Sequence, residues 1–238
     1  MGTRGLHSLR LTRELLKRRK KKIAVTADDA SQAIGLDKAA YVKGLLNMIE
    51  HPQYEYENIV VLVATGEGMT RREIGRHLWA HLTPMWNMSK EGFQELYERL
   101  PGPKPPFEEA WRLTGGNPGL LRKLYTTKWD FDVVVNLFIE EKRVDRFVKS
   151  LTTVERRVLE EAVEEPDVFW HHLQEEYVRR LLDVLVEKNM VLELYTRKPY
   201  LWIDAPPPER DPELGIGRRI AWQTPLHREA VRRALQET

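Results

Sequence analysis

Cysteine is absent from the 238 residues. That excludes disulfides, Cys-ligated zinc and thiol chemistry. Long apolar runs are absent too, and no stretch approaches the ~20 residues of a membrane-spanning helix. The first residues lack the apolar core of a secretory signal. These absences give the expectation of a cytoplasmic protein with no membrane partner. An excess of one charge is also lacking: 38 Lys and Arg face 36 Asp and Glu, for a net charge of +2. No global field therefore demands a nucleic-acid partner. No internal repeat occurs, and low complexity is confined to a basic run and a Pro-rich tip. What remains is a composition of 42% hydrophobic and 31% charged residues, enough for one large domain or two small ones with a real core. Dense Arg and Glu with modest Asn and Gln suit a thermophile.

The chain is organised around Ile23-Ala24-Val25-Thr26-Ala27-Asp28-Asp29. A short apolar run ending in a charge jump predicts a buried parallel strand. Two acids at its carboxyl end fall where open α/β sheets place their ligands. The plainer reading is a strand followed by an Asp-capped helix. A helix over 8–22, ending in Lys17-Arg18-Arg19-Lys20-Lys21-Lys22, precedes the strand. The cations suit either the negative end of a solvated helix or a patch for nucleic acid or an acidic membrane. A helix over 38–49 follows, then Asn58-Ile59-Val60-Val61-Leu62-Val63-Ala64-Thr65 as a second strand. Strand, helix, strand of this length predicts a parallel βαβ unit. Two strands are too few for a complete sheet of that kind.

Helices are predicted at 71–81, 90–99, 107–113 and 119–126, the last with Leu120, Leu121, Leu124 and Tyr125 as its apolar residues. Between the last two lies Thr114-Gly115-Gly116-Asn117-Pro118. It combines a Gly stop signal with Pro at the first turn of the next helix. The texture changes at Phe131. A helix to about Phe147 leads to Thr152 and Glu155, spaced as a capping box. Helices at 154–163, 169–177 and 178–188 follow. Alternating segments at 190–195 and 200–203, a Pro-rich tip at 206–217, a return strand at 219–223 and a helix at 225–235 complete the chain. Three helices and a long-tipped hairpin form the winged-helix pattern, a relative of helix-turn-helix.

The acid pair after a strand, the Thr-ended strand, the Gly-Gly-Asn-Pro turn and the winged-helix pattern occur in one order. Together with Val-Ala-Thr-Gly-Glu-Gly-Met-Thr-Arg-Arg-Glu-Ile-Gly-Arg-His and Leu-Thr-Gly-Gly-Asn-Pro, they resemble the archaeal P-loop ATPases of the AAA+/STAND class, relatives of the Orc-type initiators. The resemblance runs from about Lys21 to the C-terminus. It implies an α/β fold: a partial P-loop nucleotide-binding core over 1–68, a helical lid over 69–130 and a mainly α winged-helix domain over 131–238. It implies ATP and Mg²⁺ as cofactors. Asp28 matches the Walker B acid that orders Mg²⁺, and Asp29 the usual catalytic Glu. Thr65 matches sensor 1, and Gly116, Asn117 and Pro118 match the lid turn near the base. Arg71, Arg72 and Arg76 hold a candidate arginine finger.

Two departures oppose those matches. Gly-x-x-x-x-Gly-Lys-[Ser/Thr] occurs nowhere in the sequence, so the cradle of backbone N–H groups and the phosphate Lys are missing. Asp29 is one methylene shorter than Glu, and a displacement of ~1 Å costs about a hundredfold in rate. The expectation is the distal part of such an ATPase, from a truncated gene, a split product or a diverged paralogue, impaired in binding and hydrolysis on its own. The alternative is a non-enzymatic module that binds a protein or duplex DNA through Arg179, Arg180, Arg197, Lys198, Arg218, Arg219, Arg232 and Arg233, with self-association also possible. His77 and His81 have helical metal spacing but lack the His-Glu-x-x-His form. His171 and His172 are adjacent and share no helix face. Asn87-Met88-Ser89 fits a glycosylation acceptor that nothing else supports.

Overall fold

A computed structural model of the chain describes residues 22–28, 47, 57–64 and 81–237. The chain divides into two compact units, residues 1–82 and 83–238. In the first, β1 (Lys22–Asp28) and β2 (Asn58–Ala64) pair in parallel, from Lys22 opposite Asn58 to Asp28 opposite Ala64. The two strands and their parallel pairing match the expectation. Ile23 is buried, and Val25, Ile59 and Val61 are half-buried, so one face of the pair turns inward. The other face does not follow the expectation of burial on both sides: Val60 is 54% and Leu62 61% exposed. No described element covers them. The basic run, the helices predicted at 38–49 and 71–81 and the acid Asp29 lie outside the described residues, apart from Lys22 in β1, helical Asn47 and His81.

The second unit is mainly helical. Ser89 starts α1 (Lys90–Glu98) by accepting a hydrogen bond from the Gly92 amide. Phe93 and Tyr97, one turn apart, form its buried stripe with Ala110 of α2 (Phe107–Thr114) and Leu121 of α3 (Pro118–Thr126). Tyr125, expected on the apolar face of α3, is 37% exposed and edge-on to Trp129. The main core gathers α4 (Phe131–Lys142), α5 (Val144–Lys149), α6 (Thr153–Glu164), the single turn α7 (Val168–His171), α8 (Glu176–Glu187) and α9 (Pro225–Gln236). In α9, Leu226, Ala230, Val231, Ala234 and Leu235 repeat at helical spacing and are buried. This helix touches α2, α4, α5, α6 and β4 (Ile220–Trp222). The predicted capping box is present: Glu155 Oε2 accepts from the Thr152 amide at 2.9 Å, and Thr152 Oγ1 from the Glu155 amide.

Three expected elements are revised. The helix expected from 131 to 147 breaks at Arg143, which takes φ +53°. On one continuous helix, Val144 and Val148 would sit about 150° and 110° around from the centre of the Val134, Val135, Phe138 and Ile139 stripe. The break turns both sets inward. The helix expected at 169–177 is only the turn α7 and a loop, for the same reason: Phe169 would otherwise face away from the Val178, Leu181, Leu182 and Leu185 stripe of α8. The segment at 200–203 is not a strand. It holds a 3₁₀ turn at Pro199–Leu201, with Tyr200 75% exposed, and only Ile203 bridges to another segment, at Met85. The hairpin itself pairs β3 (Val191–Glu193) with β4 in antiparallel register, Val191 opposite Trp222 and Glu193 opposite Ile220.

The long connection between β3 and β4 is held by charged groups, not by regular structure. Asp167, buried beside α7, accepts from the amides of Arg218, Arg219 and Ile220 at 2.6, 2.8 and 2.9 Å. Arg197 donates to the carbonyls of Pro208, Gly217 and Arg218. Arg228 of α9 donates to those of Pro212 and Glu213, each at 2.6 Å. Charge-assisted bonds of this kind are about twice as strong as neutral ones. Asp167→Ala removes the acceptor for three amides and is expected to destabilise the protein by about 3 kcal/mol. Urea denaturation checks this. Native-state hydrogen exchange should quicken first at Arg218, Arg219 and Ile220; uniform exchange across the protein would contradict the clamp.

Candidate functional site

In the parallel register, Asp28 closes β1 level with Ala64, the residue before Thr65. The acid at the end of one strand therefore stands at the same carboxyl edge as the end of the next. Asp29, Thr65, Arg71, Arg72 and Arg76 lie outside the described residues, as does His77. No cluster of three His, Cys, Asp or Glu side chains suited to a metal occurs among the described residues.

The Gly-Gly-Asn-Pro turn is fully described. Gly115 closes α2 with φ +56°, its amide donating to Trp111 O at 2.8 Å. Gly116 follows at φ +84°. Both left-handed conformations favour glycine, and space enforces the choice. A Cβ on Gly115 would stand 2.6 Å from Pro225 Cδ, and one on Gly116 would overlap Met88 O. Asn117 caps α3 by accepting from the Leu120 amide at 3.0 Å, and Pro118 takes the first helical position. The turn is thus clamped between the 87–88 segment and the start of α9.

A ladder of amides completes the clamp. Asn117 Nδ2 donates to Asn87 Oδ1 at 3.0 Å, Asn87 Nδ2 to Gln223 O at 3.0 Å and Gln223 Nε2 to Asn189 Oδ1 at 3.1 Å. The Met88 amide donates to Gly116 O, and the Gln223 amide to Met190 O. Gly116, Asn117 and Pro118 are therefore brought together with Asn87, Asn189 and Gln223, three residues that sequence reasoning did not connect with the turn. A signal existed for Asn189, which lies just past α8 at φ +58°, since Asn is the usual substitute for Gly at that position. None tied Asn87 or Gln223 to the turn, because their partners are 30, 34 and 136 residues away.

The family described as an ATPase domain predominantly from Archaea matches residues 6–124, half of the chain. The chain belongs to that family. No curated protein matches it, and no solved structure does. The match begins ahead of Lys21, where the resemblance in motifs starts. It ends inside α3 of this ATPase-family chain, so it includes the acid-ended strand, β2 and the Gly-Gly-Asn-Pro turn.

Behind the turn, Thr224 Oγ1 lies 2.8 Å from His227 Nδ1, and Phe138 meets the imidazole edge-on at 4.5 Å between ring centres. Burial of the ring, and then the charges of Lys142 and Lys123, push His227 from its ordinary 6.5 down to about 3. The folded protein therefore keeps it neutral, whereas the unfolded chain takes up a proton as pH falls through 6.5. Its contribution is intact above that pH and is lost on the way down toward about 3. Between about pH 7.5 and pH 5 the wild type should lose ~2 kcal/mol more stability than His227→Gln, measured by urea denaturation at each pH. Parallel losses in the two proteins would show that His227 is not the titrating group.

The glycines give a second expectation. Gly102 also has φ +83° but nothing within 4 Å of its added Cβ. Gly102→Ala should cost only the backbone term, about 1 kcal/mol, and Gly116→Ala about 3 kcal/mol or more. Equal losses in thermal or urea melts would remove the packing argument.

Proposed function

We propose that this chain supplies the magnesium-side acids and the lid turn of an archaeal-type ATPase of the AAA+/STAND kind. The observation that carries the reading is the parallel register of β1 and β2. It sets Asp28 and the residue preceding Thr65 abreast, in a chain whose family is that of archaeal ATPase domains. Oxygen donors suit Mg²⁺, which takes one or two carboxylates and fills its other positions with water and phosphate oxygens. A lone acid pair is therefore a fitting donor set. In this reading Asp28 would hold the ion and Asp29 would orient the attacking water. Thr65 senses the terminal phosphate, and one of Arg71, Arg72 and Arg76 stabilises the charge that develops there. Bound Mg²⁺ would neutralise phosphate charge. Gly116, Asn117 and Pro118 form the turn beside the base, held in place by Asn87 and Met88.

Without Gly-x-x-x-x-Gly-Lys-[Ser/Thr] in its sequence, the chain on its own lacks the donors that supply most of the phosphate affinity. Titration of the purified chain with a fluorescent ATP analogue and Mg²⁺ is expected to give no saturation below about 100 µM, on the order of the 5.5 kcal/mol that a weak site supplies. Saturation near 1 µM would overturn the view that the cradle is required. Loss of that tight binding in Asp28→Asn would still uphold the assignment of the acid.

The C-terminal residues 131–238 are read as a winged-helix module, on the order α6, α7, α8, β3, β4. Of its eight named cations, Arg180 pairs with Glu155, Arg232 with Glu164 and Glu229, and Arg233 with Asp132. Arg179 donates to the carbonyls of Leu173 and Gln174, and Arg197 to those of its loop. The exposed face of α8 adds Glu176, Asp183 and Glu187. A duplex partner is thus left with Lys198, Arg218 and Arg219, and these charges favour a protein partner over a DNA backbone. Duplex binding, where it occurs, falls steeply with salt.

A further inference from the structure

One surface of the second unit carries cations that the fold does not consume. Phe169 of α7 is fully buried, which fixes that turn, and the next residue, Trp170, is 43% exposed. The Arg219 guanidinium carbon lies 5.0 Å from the centre of the Trp170 ring, a cation–π stack. Arg218 stands beside it, also exposed. Neither Arg218 nor Arg219 forms an ion pair among the described residues, whereas acids on the surrounding segments are engaged. Asp167 holds three amides and faces the Arg197 charge, Glu165 pairs with Arg210, and Glu209 also faces Arg197. Two positive charges and an aromatic face are therefore left in surplus at one place.

The backbone beneath them is pinned. The Arg218 and Arg219 amides donate to Asp167, Arg218 O accepts from Arg197 at 2.5 Å and Arg219 O accepts from the Leu194 amide at 2.6 Å. A partner that docks here would lose little free energy in ordering the segment. Tryptophan and arginine are also the residues that most often dominate binding energy at protein interfaces.

We propose that Trp170, Arg218 and Arg219 form a docking point for an acidic segment of a partner protein, with an apolar side chain of that segment against Trp170. The proposal is independent of nucleotide binding. Charge favours this partner over nucleic acid. Duplex affinity is built from many phosphate contacts, on the order of 6–10, while Arg179, Arg180, Arg197, Arg232 and Arg233 are committed to internal bonds and α8 presents acids. An acidic peptide needs only one or two ion pairs around a central anchor.

The test uses the full chain and a fluorescein-labelled twelve-residue peptide of Glu residues with a central Leu pair, followed by anisotropy. Its Gln counterpart and an unlabelled 20-base-pair duplex serve as comparisons. The Glu peptide should saturate, and the Gln peptide should bind about tenfold more weakly or worse. The double variant Arg218→Gln/Arg219→Gln should weaken the Glu peptide by about tenfold. That variant keeps the backbone bonds to Asp167, so its thermal melt should match the wild type. Trp170→Ala should weaken the peptide by a smaller factor of about five. Absence of saturable binding would overturn the proposal, as would unchanged affinity in a folded double variant. Displacement of the peptide by the duplex at equal or lower concentration would overturn it in favour of nucleic acid.

Discussion

The close approach of the Gly115–Gly116 backbone to Pro225 and Met88 is the constraint on which the second unit depends. Helix α9 touches four other helices and β4, so wherever its first turn is set, the core follows. That first turn rests on Gly115, with no room for a side chain between them. On the other side, Gly116 O accepts from the Met88 amide, and the amides of Asn117, Asn87, Gln223 and Asn189 link the turn to the base of the hairpin. Each bond contributes only about 1 kcal/mol. Their effect is to allow one arrangement, because a displaced turn would leave several partly buried polar groups unpaired at once.

Arginine acts in this unit chiefly as an internal clamp. Arg179, Arg197 and Arg228 each donate to more than one carbonyl of an irregular segment. The planar fork of donors suits that role, since it can meet several acceptors with little further loss of freedom. Burial lowers the basicity of Arg197 and Arg228, yet an arginine remains charged throughout the physiological range. Around the β3–β4 connection, Arg197, Arg210 and Arg228 are committed to carbonyls or an acid, and Arg218 and Arg219 differ from them in forming no ion pair among the described residues.

The family relationship and the fold meet at the Gly-Gly-Asn-Pro turn. The match to archaeal ATPase domains ends a few residues beyond it, while Pro225, which packs on it, and Gln223, linked to it through Asn87, lie about a hundred residues further on, outside that match. A turn that belongs to the ATPase domain is thus completed by the C-terminal helix. Any movement of the turn must take the start of α9 with it.

Local chemistry was legible in the sequence. The strands at Lys22–Asp28 and Asn58–Ala64, the Thr152–Glu155 capping box, the stop at Gly115 and the start at Pro118 all depend on residues within a few positions of one another. Short-range sterics and capping bonds decide such features. The order of motifs likewise carried the family. The tertiary structure alone decided where α4 gives way to α5 and where α7 ends. At both points the apolar phase shifts, by about a third of a turn at the first and about half a turn at the second, and only the position of the core shows that both sets face inward. It alone supplied Asn87 and Gln223, whose partners are remote in sequence. It alone separated Arg218 and Arg219 from the arginines around them, because a side chain's free or committed charge is a property of its neighbours in space.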